Sequence, residues 1–196
     1  MQSLIKILRP CCLYPVYLMA ISVFSLPAQA FETKARAAFV IDLTTGSVLL
    51  KKDADKPLPP ASMSKLMTLY VAFEFIKAGQ LSLDERLPVS AHAAKYGGST
   101  MFLNTTDRVH VEDLLRGIIV LSGNDACAVI AEALSPDGTE AGFARLLTQR
   151  AQQLGMTNST FRNSNGWPAT GHVMSMRDLA ILSERLIEDF REFYPL

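Results

Sequence analysis

The sequence predicts an α+β domain in which a short antiparallel hairpin precedes a helical lobe. Three observations predict it. Two strand-forming runs stand close together near the front of the chain, five helix-length stretches follow them, and no repeat or low-complexity tract interrupts that order. At 196 residues, 49% of them hydrophobic, the chain can build the core of one domain and is too apolar to be disordered. Lys plus Arg and Asp plus Glu balance at 19 each, so neither a basic nucleic-acid surface nor an acidic solvating tail is indicated.

Residues 1–30 stand apart from the fold. Lys6 and Arg9 precede the apolar run "CCLYPVYLMAISVFSLP", and Ala28-Gln29-Ala30 fits a small-x-small cleavage site, the pattern of a secretory signal. An uncleaved membrane anchor is the alternative. The run is about 15 residues once its prolines are discounted, shorter than the roughly 20 that a spanning helix needs. Cys11 stands at the front of the apolar run and not after it, which fits a lipoprotein poorly. With residues 1–30 removed, 17 of the 19 basic residues remain against 19 acidic ones, and Cys127 alone remains of three cysteines. The exported part, residues 31–196, then has no internal disulfide and depends on packing.

The hairpin is expected from Ala38–Leu43 and Ser47–Lys51 around the turn Thr44-Thr45-Gly46. Asp53 to Pro60 carries three prolines and reads as an extended connection. Met63 to Ala78 is apolar on every face, the mark of a central helix, and Gly79 supplies its stop. Leu81 to Thr106 reads as loop. A helix is expected over "VHVEDLLRGIIVL", broken at "SGND" and resumed at "ACAVIAEAL" with Asn124 or Asp125 as cap. "EAGFARLLTQRAQQLG" is a further helix, and "SMRDLAILSERLIEDF" opens on a Ser175-x-x-Asp178 capping box. A two-stranded hairpin is marginal alone, so the sheet reads as unfinished.

The chemistry concentrates in "PASMSK". Ser62 and Lys65, three apart at a helix start, share one face within hydrogen-bond reach. A lysine whose pKa is lowered by burial can activate a serine hydroxyl, and the free N–H groups of the helix start face a developing oxyanion. Ser64 points elsewhere by helical phase. The spacing alone is weak, since Ser3 and Lys6 match it too. The proline-rich approach and the all-apolar helix strengthen it. A second element, "LSGNDA", sets Ser122 and Asn124 in a break between helices, sixty residues after Ser62. It reads either as a capped helix corner or as a proton relay (Ser122) beside Lys65 with an amide (Asn124) that holds Lys65 or a substrate carbonyl.

S-x-x-K followed by S-x-N resembles the penicillin-binding proteins and serine β-lactamases. The finer text, "AAFVIDLTTGSVL", "PPASMSKLMTLYVAFE", "GGSTMFL", "VEDLLRGIIVLSGNDACAVIAEAL", "LGMTNSTFRNSNGWP" and "SMRDLAIL", resembles the D-alanyl-D-alanine carboxypeptidases over residues 37–183. The resemblance implies the β-lactamase/transpeptidase-like fold, here a hairpin plus helical lobe without the later strands. It implies Ser62 as acyl-accepting nucleophile, Lys65 as general base, Ser122 as proton relay and Asn124 as the residue that orients Lys65 or substrate. The implied partners are D-Ala-D-Ala stem peptides of peptidoglycan and β-lactams, with no metal or organic cofactor and no nucleic acid. The implied place is the periplasm, and inner-membrane association would need a segment beyond this chain.

One departure stands out. The family's third motif, a Lys-Thr-Gly on a later strand, has no counterpart; Lys77-Ala78-Gly79 reads as a helix cap. That strand supplies the second oxyanion donor in the family, and losing one such donor typically costs about a hundred- to a thousand-fold in rate. The expectation is a carboxypeptidase domain truncated before its third motif, with weak or absent activity. The alternatives are a β-lactamase or esterase on the same scaffold, disfavoured by the want of an assignable deacylating glutamate, and a non-catalytic peptidoglycan-binding or vestigial product.

Other residues read as structural. His92, His110 and His172 lack metal-ligand spacing, and Cys127 reads as a small buried helical residue. Asp42 and Asp53 have no partner visible in the sequence. Trp167, in "NSNGW", is equally a groove wall or a packing anchor.

Overall fold

A computed structural model describes residues 31–196. The chain divides into two units, residues 1–33 and 34–196. The signal segment expected at residues 1–30 lies outside the described residues, and the second unit is the one described below.

β1 (Ala38–Asp42) and β2 (Ser47–Lys52) pair antiparallel, with a register shift between Val40 and Ile41. Asp42 organises the turn: its carboxylate accepts the Thr44 N–H at 2.9 Å and the Thr45 hydroxyl at 2.7 Å. Its carbonyl accepts the Gly46 N–H at 2.8 Å, where Gly46 takes φ +70°. The partner of Asp42 is thus its own turn.

A 3-10 turn over Ala61–Ser64 runs directly into α1 (Lys65–Lys77), so the regular helix starts two residues later than Met63, where the sequence predicts it. Met67, Tyr70, Val71 and Ala72 are all at most 1% exposed, which makes α1 the central helix. Gly79 at φ +69° ends it.

The expected loop over Leu81–Thr106 contains a strand. β3 (Arg86–Pro88) pairs antiparallel with β4 (Arg108–His110), a second two-stranded ladder. Val109 and His110 therefore belong to a strand, and α2 (Val111–Leu121) begins two residues later than the sequence suggests. His110 is extended, and the first two helical N–H groups, of Val111 and Glu112, are taken by the carbonyls of Glu85 and Leu83.

α3 (Asn124–Leu134), α4 (Glu140–Gln153) and α5 (Met176–Asp189) complete the lobe, and all three pack on α1. Leu114, Leu115, Ile130, Phe143, Leu147 and Leu182 fill the space between them, each fully buried side chain contributing about 1.5–3 kcal/mol. The cap of α3 is Gly123, not Asn124 or Asp125, which occupy its first turn. The capping box of α5 is half formed. The Ser175 hydroxyl accepts the Asp178 N–H at 3.1 Å, but the Asp178 carboxylate turns to Asn158 N (2.8 Å) and Ser159 Oγ (2.7 Å), fastening the preceding loop. Arg177 at the start of α5 joins the hairpin, its guanidinium 4.7 Å from the Phe39 ring and paired with Asp55. No helix among the described residues is long and apolar enough to cross a membrane.

Candidate active site

The approach to the site is strained. After Pro59 and Pro60, Ala61 adopts φ +48°, a left-handed conformation unfavourable for a residue with a Cβ. Ser62 follows it, exposed at the surface of the 3-10 turn. Lys65, one 3-10 turn on, is 4% exposed. Its Nζ lies 3.0 Å from Ser62 Oγ and donates to the Asn165 carbonyl at 2.8 Å. Burial lowers the Lys65 pKa below the ordinary lysine range. An accessible hydroxyl thus faces a desolvated amine. Ser64 is buried and gives its hydroxyl to the Ala61 carbonyl at 3.1 Å.

The second element is the corner between α2 and α3. Ser122 closes α2 in the left-handed region (φ 56°, ψ 39°), half-buried, and Asn124 begins α3. The Asn124 amide donates to the Gly97 carbonyl at 2.8 Å and its backbone N–H to the Ser99 carbonyl at 2.8 Å. Among the described residues neither Ser122 nor Asn124 hydrogen-bonds Lys65. The link is Asn165, whose side chain makes a long 3.5 Å contact with the Asn124 carbonyl while its own carbonyl holds Lys65.

Residues 163–167 form the third wall. Asn163 Oδ1 accepts Gly166 N at 2.8 Å and its amide donates to the Trp167 carbonyl at 2.8 Å, folding the loop on itself. Gly166 is at φ +86°, and a Cβ there would stand 1.9 Å from the Ala61 carbonyl oxygen. Only glycine lets this loop lie against Ala61, the residue before Ser62. Trp167 stays 46% exposed, edge-on to Tyr96 with 6.0 Å between ring centroids, so it walls the groove more than it anchors a core.

Three groups escape a reading of the sequence. Asp125 is buried and accepts the N–H groups of Met101 (3.0 Å) and Leu103 (3.1 Å), which holds the 97–103 loop on α3. Glu140 is buried, and the exposed His92 has its Nε2 2.7 Å from the Glu140 carboxylate. His172 is buried, with Nδ1 accepting Arg162 N at 3.3 Å and Nε2 unpartnered among the described residues. Cys127 is fully buried, and burial pushes its thiol pKa far up, which leaves it inert as a nucleophile.

A hairpin packed on a helical lobe whose central helix opens on a serine–lysine pair is the arrangement of the penicillin-binding protein and β-lactamase class of fold. Solved members align closely. A D-alanyl-D-alanine carboxypeptidase, DacD from Francisella tularensis, superposes with a TM-score of 0.81 at 38% identity, over 84% of this chain and 40% of that one. Penicillin-binding protein D2 from Listeria monocytogenes, in an ampicillin-bound form, gives 0.71 at 32% identity, over 83% of this chain and 65% of that one. The chain belongs to the peptidase S11 family, D-alanyl-D-alanine carboxypeptidase, whose family model matches residues 24–196. Among sequence relatives, the D-alanyl-D-alanine carboxypeptidase DacC of Escherichia coli is 38% identical over 174 residues, 86% of this chain and 43% of that protein. The chain thus spans less than half the length of that relative.

Proposed function

We propose that this domain acts as a serine-type D-Ala-D-Ala carboxypeptidase of the bacterial cell envelope, with β-lactams acylating the same serine. The observation that carries the reading is the exposed Ser62 hydroxyl 3.0 Å from the buried Lys65 amine. A lysine whose pKa is lowered by burial is neutral in a larger fraction of molecules and can accept a proton. Lys65 takes the Ser62 proton as Oγ adds to the carbonyl carbon of the penultimate D-alanine. The C–N bond then breaks, and the departing D-alanine amine receives a proton relayed through Ser122. Water adds to the resulting ester, the ester bond breaks, and the proton returns to Ser62. Asn124, which among the described residues makes no hydrogen bond to Lys65 and is fixed by its 2.8 Å bond to the Gly97 carbonyl, orients the substrate in this reading. The Met63 N–H of the 3-10 turn is taken by the Pro60 carbonyl at 3.3 Å, which leaves the Ser62 N–H to face the developing oxyanion.

Residues 1–30 direct export in this reading, residues 31–196 work in the periplasm, and contact with the inner membrane runs through a segment outside this chain. The resemblance assigns the substrate carboxylate to a Lys-Thr-Gly strand that residues 1–196 do not contain. Acylation and turnover are therefore measured separately. Residues 31–196 are exposed to a fluorescent penicillin and the adduct is mapped by peptide mass spectrometry. Label at Ser62, lost in Ser62→Ala and Lys65→Ala, is the expected result; label that persists in Ser62→Ala overturns the reading. The lifetime of the adduct separates a carboxypeptidase, which holds it, from a β-lactamase, which hydrolyses it quickly.

A further inference from the structure

Four donors converge on one buried carboxylate behind the nucleophile. Glu140, the first residue of α4, accepts Ser164 N at 2.9 Å and Ser164 Oγ at 2.5 Å on Oε1. Its Oε2 accepts the Tyr96 hydroxyl at 2.6 Å and lies 2.7 Å from His92 Nε2. Burial by itself would raise the carboxyl pKa; the donors from Ser164, Tyr96 and His92 outweigh it and hold the group below the usual range. Helix α4 does not need this arrangement for its start, since Thr139 already caps it through Gly142 N at 3.0 Å.

Ser164 immediately precedes Asn165, whose carbonyl takes the 2.8 Å hydrogen bond from Lys65 Nζ. The Ser164 carbonyl in turn accepts the Thr68 hydroxyl of α1 at 2.6 Å. The peptide segment that presents a carbonyl to Lys65 is therefore held from two sides, by Glu140 of α4 and by Thr68 of α1. That fixation has a chemical consequence. A neutral lysine amine has two N–H bonds and one lone pair. Giving one N–H to an immobile carbonyl stops rotation about Cε–Nζ and leaves the lone pair for the Ser62 proton.

We propose that Glu140 is a positioning residue for acyl transfer: by clamping Ser164 it fixes the Asn165 carbonyl that aims the Lys65 amine at Ser62. The inference rests on the roles of Ser62 and Lys65 proposed above. The titratable neighbours are few. Cys127 of α3 is the titratable neighbour of Lys65, Glu140 faces His92 and Tyr96 and acts on His172, and both Glu140 and Asp125 act on Cys127.

The test uses Glu140→Gln and Ser164→Ala in residues 31–196, with two readouts. Glu140→Gln keeps the volume but turns an amide donor toward groups that are themselves donors. Its fluorescent-penicillin acylation rate at Ser62 is expected to fall roughly a hundred-fold, the scale of a misplaced reacting group, with little change in penicillin dissociation constant. The acidic limb of the acylation–pH profile moves to higher pH as water reaches Nζ. The second readout is the Lys65 titration itself, followed by 13Cε-lysine NMR, whose midpoint moves up in the same variant. Ser164→Ala, which removes only the 2.5 Å bond, shifts both readouts in the same direction by less. If Glu140→Gln fails to fold by circular dichroism, Ser164→Ala decides. Folded variants that lower Tm but leave the Lys65 midpoint at the wild-type value overturn the proposal, since a merely structural glutamate predicts that result. Absence of acylation in the wild type would count against the functional reading alone, because the Lys65 titration still decides the positioning claim.

Discussion

His172 is kept neutral by its surroundings: burial first, then the charge of Arg162, bring its pKa from 6.5 down to about 4. The unfolded chain protonates this imidazole as pH falls through 6.5, while the folded chain does not until about 4. Stability is therefore lost on acidification within that window, by about 3 kcal/mol at most. Urea midpoints measured from pH 7 to 4 should fall more steeply for wild type than for His172→Gln, and parallel slopes would refute the assignment. Glu140 acts on the same side but lower, its contribution disappearing as pH falls through a carboxyl pKa already below the usual range. At this scale the sequence is uneven. Ser62 and Lys65 are legible because both partners lie within one turn. Asn165 is not, because it serves Lys65 with a backbone carbonyl 100 residues away, a group every residue type supplies. Glu140 reads as an ordinary acidic residue at a helix start, and only the folded chain brings Ser164 to it.

Loop 97–103 has no regular structure, yet it lines one side of the site through Gly97 and Ser99. It is held by Asp125, by Asn124, and by Met101, which lies so close to α2 that a Cβ on Gly117 would stand 2.1 Å from its sulfur. Asp125→Ala would leave the Met101 and Leu103 N–H groups without their acceptor, a loss of roughly 2–4 kcal/mol. Chemical denaturation should show it, together with slower penicillin acylation as Asn124 loses its frame. A variant as stable as wild type would mean that water replaces the carboxylate. Elements of this kind resist sequence reading for physical reasons. β3 and β4 are three residues each, too short to display a period of two, and His110 borders the strongly amphipathic α2. Asp125 in a first helical turn looks like a cap until its side chain is seen reaching to another segment.

The residues from 34 onward are unevenly stabilised. Helix α1 is enclosed by α3, α4 and α5, whereas the hairpin leaves Val40, Val48 and Leu49 at 45%, 49% and 67% exposure. Amide exchange should therefore show the hairpin opening locally, while α1 exchanges only with global unfolding. Simultaneous exchange of both, read by mass spectrometry, would contradict this. The α+β class was legible at this scale because the hairpin precedes the helices, whereas β3 and β4, set between α1 and α2, were not. The central place of α1 was legible too, since a helix apolar on every face has nowhere else to go. Which helices would surround it, and that the 163–167 loop would close over its first turn, depend on packing across the whole sequence.

Ser122 sits where the backbone prefers glycine. A left-handed residue with a Cβ forgoes roughly 1 kcal/mol or more, so Ser122→Gly is expected to melt about 2–4 °C higher while losing acyl transfer. Under the relay role proposed above, drift at this codon toward glycine would give a sturdier fold, and the chemistry would be what holds the serine in place. Among related chains, then, a glycine at position 122 would mark a copy released from that selection. A serine there, at a standing thermodynamic disadvantage, would mark one still at work.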